Sequence, residues 1–179
     1  MPRGRLLVVV LMALALIAGA ASAPVATGQL NTSASITRVP SLEGLLLQQV
    51  NAVRTANGRG RLSHSVALSR AAALHSRSMA TFGFFTHESR DGAAFSTRIG
   101  RFYRAGSRGW TVGENLAMSS SSVNTEAIVT AWMGSPHHRA NLLGGTYRDA
   151  GIAIVHHPAA GGVFGGQPTW VITLDIGRR

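Results

Sequence analysis

Apolar residues follow three different rhythms along this chain. An unbroken apolar run, Leu6 to Ala18, lies near the start, helical spacing governs most of 41–143, and strict alternation takes over near 150. Leu42, Leu45, Leu46, Val50 and Val53 share one face of a helix predicted to start at Ser41, a good N-cap, and to stop at Asn57-Gly58. Leu68, Ala72, His75, Met79 and Phe82 recur at spacings of four and three, which predicts a second helix from about Ser65 with His75 on its core side. A weaker helical stretch covers roughly 93–105. "TVGENLAM" (111–118) reads as a strand or extended segment, and Ser119 to Ser122 as a loop. The next helix carries Ile128, Val129, Trp132 and Met133 on its apolar side. Ser135 and Pro136 then cap and open a short helix that ends at Gly144-Gly145. "AGIAIVHH" and "TWVITLDI" alternate, and "PAAGGVFGGQP" between them supplies the turn of a hairpin. Four or five helices with a small C-terminal antiparallel sheet make an α+β domain, and no internal repeat is visible.

The first apolar run changes the domain organisation. Arg3 and Arg5 precede it and the small residues 19–23 follow it, the pattern of a secretory signal peptide. Cleavage after Ala23 fits the small-x-small rule but leaves Pro24 just past the cut, so cleavage after Ala20 stays open. An uncleaved anchor is the alternative, because 6–23 is near the lower length for spanning a bilayer. Residues 24–40 lack periodicity and read as a flexible linker. Residues 41–179 form the folded domain, read as a monomer that touches a membrane only through the signal segment. The chain has no cysteine. A secreted protein without disulfides must stand on its hydrophobic core, and a lipidated cysteine after the apolar run is excluded.

The formal charge is +10, carried by arginine alone. Genome-wide compositional bias explains this, and so does attraction to lipid headgroups or an anionic envelope polymer. Arg98, Arg101, Arg104 and Arg108 recur as one stripe, although Gly100 and Gly106 weaken any helix there. No nucleic-acid motif accompanies the stripe, so nucleic acid is not an expected partner.

Local motifs exclude several chemistries. H-E-x-x-H, paired cysteines, a phosphate-cradling glycine loop and G-x-S-x-G are all missing. Polar residues in apolar or Gly-bounded contexts are the remaining candidates: His87, Glu114 and His138. A carboxylate in a strand-like apolar segment must be paired, coordinated or held by backbone N–H groups, so Glu114 reads equally as a structural ion pair and as a site residue. His138 lies in the first turn of its helix, where the dipole favours neutral imidazole. His137 points about 100° away around the same helix. His75 reads as a core histidine bonded to backbone, and on a strand His156 and His157 face opposite sides.

The run "LSRAAALHSRSMATFGFFTH" (68–87), then "GENLAM" (113–118), then "AWMGSPHHRANLL" (131–143) resembles the bacterial branch of the CAP superfamily. That superfamily takes in cysteine-rich secretory proteins, antigen 5 and plant pathogenesis-related class 1 proteins, and is also called SCP-like. The resemblance spans about 42–176. It implies a three-layer α-β-α sandwich with a central antiparallel sheet and a broad cleft holding two histidines and two acids around a divalent cation, often zinc. By that resemblance His87 is the first histidine, Glu114 the acid of the G-E-N motif and His138 the second histidine. His137 stands where a glycine is usual. The second acid falls on Ser135, which reduces the metal set to His87, Glu114 and His138. The resemblance implies no common reaction. A secreted, non-catalytic binding module at the envelope or outside the cell, with lipid among its ligands, is the leading expectation. A metal-dependent hydrolase of envelope polymer or peptide, and a purely structural triad, are the alternatives.

Overall fold

The computed structural model describes residues 35–107 and 109–179. The expected signal peptide and the linker up to residue 34 lie outside these residues, as does Arg108. The end of the expected linker is ordered by the sheet: β1 (Thr37–Arg38) sets Thr37 opposite His156 and Arg38 opposite Val155.

Helix α1 (Pro40–Ala56) starts one residue earlier than Ser41. Val39 takes the N-cap position and Pro40 the first turn, where its fixed φ suits a helix and its missing N–H costs nothing. Leu46 and Val50 are buried as expected, but Leu45 faces solvent, and Glu43, Asn51 and Arg54 are buried instead. These three buried polar side chains are each hydrogen-bonded. Glu43 takes a forked bond from Arg38 at 2.6 and 2.7 Å and accepts the Ile154 N–H at 3.1 Å. Asn51 donates to the Leu62 carbonyl at 3.0 Å. Arg54 donates to the Leu142 carbonyl at 2.6 Å and the Gly144 carbonyl at 3.2 Å.

The short strand β2 (Ser63–His64) precedes α2 (Val66–Phe82), capped by Ser65 Oγ accepting from Leu68 N. Helix α3 (Phe95–Gly100) is only the middle of the expected 93–105 stretch. Strand β3 (Thr111–Ser119) contains the G-E-N residues. Helix α4 (Thr125–Gly134) is capped by Asn124, and α5 (Pro136–Leu143) follows with Ser135 at its N-cap position. Contrary to expectation, the Ser135 side chain makes no capping bond. The two alternating runs are β4 (Asp149–Ala160) and β5 (Gln167–Arg178).

The strands are ordered β1-β4-β5-β3 and pair antiparallel, with β2 adding a two-residue parallel pairing to β4. Alternation sorts the two faces. Ile152, Ile154, Ile172, Leu174 and Ile176 pack against Leu46, Val50, Trp132 and Leu142, so α1, α4 and α5 cover one face. Val155 and Val171 pack against Met79 and Ala80 of α2 on the other face. Nearby, Leu68 and Ala71 join Ile99 of α3 and Val112 of β3. The result is the three-layer α-β-α sandwich. Helix α2 lies so close to β4 that a Cβ on Gly151 would sit 2.0 Å from Ser69 N, a distance only glycine avoids. This architecture leaves β3 as the edge strand, open along one side, and the candidate residues collect there.

Candidate functional site

Successive side chains of β3 point to opposite faces, so the G-E-N motif reaches into both helical layers at once. Gly113 admits its neighbours: a Cβ there would meet Tyr147 Oη at 2.8 Å and Asn141 Oδ1 at 3.1 Å. Glu114 turns toward α2 and α3, with a side chain fully shielded from solvent. Asn115 turns the other way and donates from Nδ2 to the His138 carbonyl at 3.1 Å. Asn141 of α5 completes the clamp, donating to the Glu114 carbonyl at 3.0 Å and to Asn115 Oδ1 at 2.9 Å. One edge strand thereby fixes both the loop that carries His87 and the helix that carries His138.

Both oxygens of Glu114 are engaged. Oε1 accepts from His87 Nδ1 at 2.8 Å, and Oε2 is ion-paired with Arg98 Nη2. Arg98 is itself only 2 % exposed, and its Nη1 donates to the His87 carbonyl at 3.2 Å and Ser89 Oγ at 3.0 Å. The guanidinium thus holds the His87 loop as well as the carboxylate. His75 of α2 supports the same loop through Nε2–H to the Thr86 carbonyl at 2.9 Å. Burial drives the His75 pKa down to about 4, so the ring is a neutral donor, as its place on the core stripe implied.

The two candidate histidines are shifted in opposite directions. The hydrogen bond to Glu114 raises the His87 pKa, with burial opposing it and the Glu114 charge adding to the rise. That bond occupies Nδ1 and leaves Nε2 as the free nitrogen of a ring that is 45 % exposed. His138 is lowered, first by burial and then by repulsion from His87 and His137. The neutral imidazole expected from the helix dipole is therefore obtained mainly by desolvation. His137 is exposed.

Two members of the cluster are not apparent from local sequence pattern. Arg98 reads as part of a surface stripe, yet it is the buried counter-ion of Glu114. Asp175 is paired in register with Glu114 and is fully buried. Burial, and then the Glu114 carboxylate, hold its pKa well above the ordinary range, so it is a neutral acid beside Glu114, and neither of its oxygens has a hydrogen-bond partner among the described residues. The signal available in sequence is alternation: Thr173 and Asp175 share one face of an otherwise apolar strand.

Of the three expected metal ligands, Glu114 is already engaged by its neighbours. Glu114 stands behind His87 rather than beside it, and a cation at its carboxylate would meet the Arg98 guanidinium. Among the described residues no group of three or more His, Cys, Asp or Glu side chains is placed to hold a metal ion. The nitrogens left for a cation are His87 Nε2 and the His138 imidazole, with Glu114 orienting the former as a carboxylate does behind a ligating histidine.

A groove of about 670 Å³ runs along the open edge of β3. Leu116 and Met118 of the strand, Phe85, and Ile128, Ala131 and Trp132 of α4 give it apolar walls, and Ser135 and His138 lie in its lining. Trp132 is locked by its Nε1–H to the Leu116 carbonyl at 2.9 Å. Among the described residues no arginine and no carboxylate lines this groove.

The sequence pattern of the Cysteine-rich secretory protein family (CAP) matches residues 47–173. The uncharacterized protein YkwD of Bacillus subtilis is 30% identical over 140 residues, covering 76% of this chain and 51% of YkwD. The chain therefore spans about half the length of that curated relative. Among solved structures, an extracellular protein containing a SCP domain from Bacillus anthracis aligns with a TM-score of 0.61 at 21% identity, over 78% of this chain and 41% of that one. An outer surface protein from Borrelia burgdorferi aligns with a TM-score of 0.61 at 16% identity, over 78% of this chain and 96% of its own. At these identities the structural likenesses speak to the fold, and the fold agrees with the sequence match: the chain belongs to the CAP family, in its bacterial, SCP-like branch.

Proposed function

We propose that the domain is a non-catalytic binding module at the cell envelope or outside the cell, and that it takes up the apolar part of a lipid in the groove along β3. The observation that carries this reading is the contrast between groove and charge cluster. The groove has a volume within the roughly 300–1,000 Å³ of small-molecule sites, apolar walls and, among the described residues, a single titratable residue, His138. The acid that a hydrolytic site would call on is committed elsewhere, since Arg98 and His87 take both oxygens of Glu114. An anionic polymer finds no guanidinium in this groove, which favours an apolar ligand there. The location draws support from the descriptions of the two structural relatives, one an extracellular protein and the other an outer surface protein.

A divalent cation such as zinc fits this site as a guest of the His87–His138 pair, in which role it would fix the two imidazoles at the groove end. Glu114 then acts by holding the His87 tautomer. The reading is tested by native mass spectrometry of the full chain after exposure to an envelope lipid extract. A one-to-one adduct is expected, and its absence across sterols, fatty acids and phospholipids would overturn the proposal.

A further inference from the structure

A second cavity, of about 430 Å³, lies between α2 and the 89–101 segment. It differs from the groove in its chemistry. Three arginines line it, Arg90, Arg98 and Arg101. The apolar part of its wall is Leu74 and Phe82, which are 46 % and 52 % exposed and are two of the large hydrophobic residues the core leaves uncovered. Arg90 is already laid over the Phe82 ring, with its guanidinium carbon 3.9 Å from the centroid, so cation and apolar surface are adjacent.

The donors outnumber the acceptors available to them. Arg98 forms part of the cavity wall, and its buried Nε–H has no hydrogen-bond partner among the described residues. Arg90 and Arg101 make no salt bridge or side-chain hydrogen bond within that same set. The one carboxylate in the lining, Asp91, bonds the Ala93 N–H of its own loop at 3.1 Å. A buried guanidinium donor left unpaired is unusual, and arginine forks are well matched to phosphate oxygens. A phosphate monoester offers three strong acceptor oxygens to such a set.

We propose that this cavity is a binding site, separate from the β3 groove, for a phosphate-headed amphiphile, with the phosphate held by Arg90, Arg98 and Arg101 and the apolar body laid on Leu74 and Phe82. Two members of the arginine stripe, Arg98 and Arg101, thereby acquire a common purpose. A lipid headgroup and a free phosphate share the head chemistry but differ in their use of the apolar wall, which the experiment separates.

Isothermal titration of the full chain compares three soluble probes: dihexanoyl phosphatidic acid, dihexanoyl phosphatidylcholine and inorganic phosphate. The phosphatidic acid is expected to bind one-to-one, more tightly than either other probe, and to weaken as salt rises. Arg90→Ala with Arg101→Ala, both on exposed side chains, should weaken it by about tenfold or more. Phe82→Ser should weaken the phosphatidic acid and leave inorganic phosphate unchanged. Ala131→Trp, which fills the β3 groove, should alter none of these values, so the two sites fail or succeed separately. No phosphatidic acid binding, binding unaffected by the double arginine variant, equal affinity for inorganic phosphate, or loss on Ala131→Trp would each overturn the proposal.

Discussion

Glu114→Gln is the substitution that separates a buried ion pair from a metal ligand. The change keeps the shape of the side chain and removes one charge from a cluster in which Arg98 is 2 % exposed and the Glu114 side chain is fully shielded. Removing one partner of such a pair strands the other and costs about 3–5 kcal/mol. Asp175, freed from repulsion by Glu114, can ionise near Arg98 and offset part of that loss, which places the expected value toward the lower end. Against a total stability of roughly 5–15 kcal/mol this is a large fraction. With a urea dependence of about 1–3 kcal/mol per molar, the midpoint should fall by at least about 1 M in a metal-free buffer at pH 7, read by tryptophan fluorescence. Replacing both partners, Glu114→Leu with Arg98→Met, should recover much of the loss, because an apolar pair of similar volume carries no stranded charge. The pH dependence gives a second reading. His87 has its folded pKa raised by Glu114, so its contribution is complete below the unfolded value near 6.5 and is lost as pH rises through the folded value. That decline should vanish in Glu114→Gln. A loss under about 1 kcal/mol, or a double variant as unstable as the two single losses combined, would refute the ion-pair account.

Other substitutions probe the same cluster. His75 has a folded pKa of about 4, so its neutral form contributes stability above the unfolded value that is lost as pH falls from about 6.5 toward 4; urea midpoints across this range should rise with pH by less in His75→Gln than in the wild type. Asp175→Asn keeps the shape of this buried side chain without a proton to lose, so stability at pH 7 should hold or increase, whereas Asp175→Ala should lower it; thermal melts of the two variants settle the point. Zinc uptake, measured by equilibrium dialysis, should be abolished by His87→Ala and by His138→Ala but only weakened, by about 10- to 100-fold, in Glu114→Gln; equal abolition in all three would restore Glu114 to the ligand set.

Much of this fold is legible in local pattern. The four-three rhythm that puts His75 on the core stripe of α2 is a property of one helix, and so is the Ser65 cap. Alternation likewise identifies β4 and β5 and the face each residue takes. Where local reading falls short, a tertiary contact decides the outcome. Leu45 belongs to the apolar stripe of α1 but faces solvent, because the helix gives part of its inward face to Glu43 and Arg54, whose partners lie on β1, β4 and α5. Ser135 has the residue type and position of a cap, yet its side chain is not used as one.

The site divides in the same way. His87, Glu114 and His138 stand out as polar residues in apolar or Gly-bounded settings, and His87 and Glu114 are in direct contact. What pattern does not convey is which groups oppose them. Arg98 becomes the counter-ion of Glu114 only because α3 packs beside β3, and Asp175 becomes its neutral neighbour only through the β3–β5 register. These two residues turn a candidate ligand into a positioning group. The groove is also a tertiary feature, made where α4 packs along an edge strand whose outer carbonyls are capped by Trp132 and Asn141.

The central claim is that ligand enters the groove between β3 and α4. Ala131 is exposed and lines that groove, so Ala131→Trp fills it without disturbing the core. Native mass spectra of the full chain and this variant, both exposed to the same envelope lipid extract freed of phosphate-headed lipids, which the second cavity would also take, provide the most direct test. The account predicts a one-to-one lipid adduct on the wild type that is lost in the variant while the two melt at the same temperature. An adduct retained in full by Ala131→Trp would contradict it.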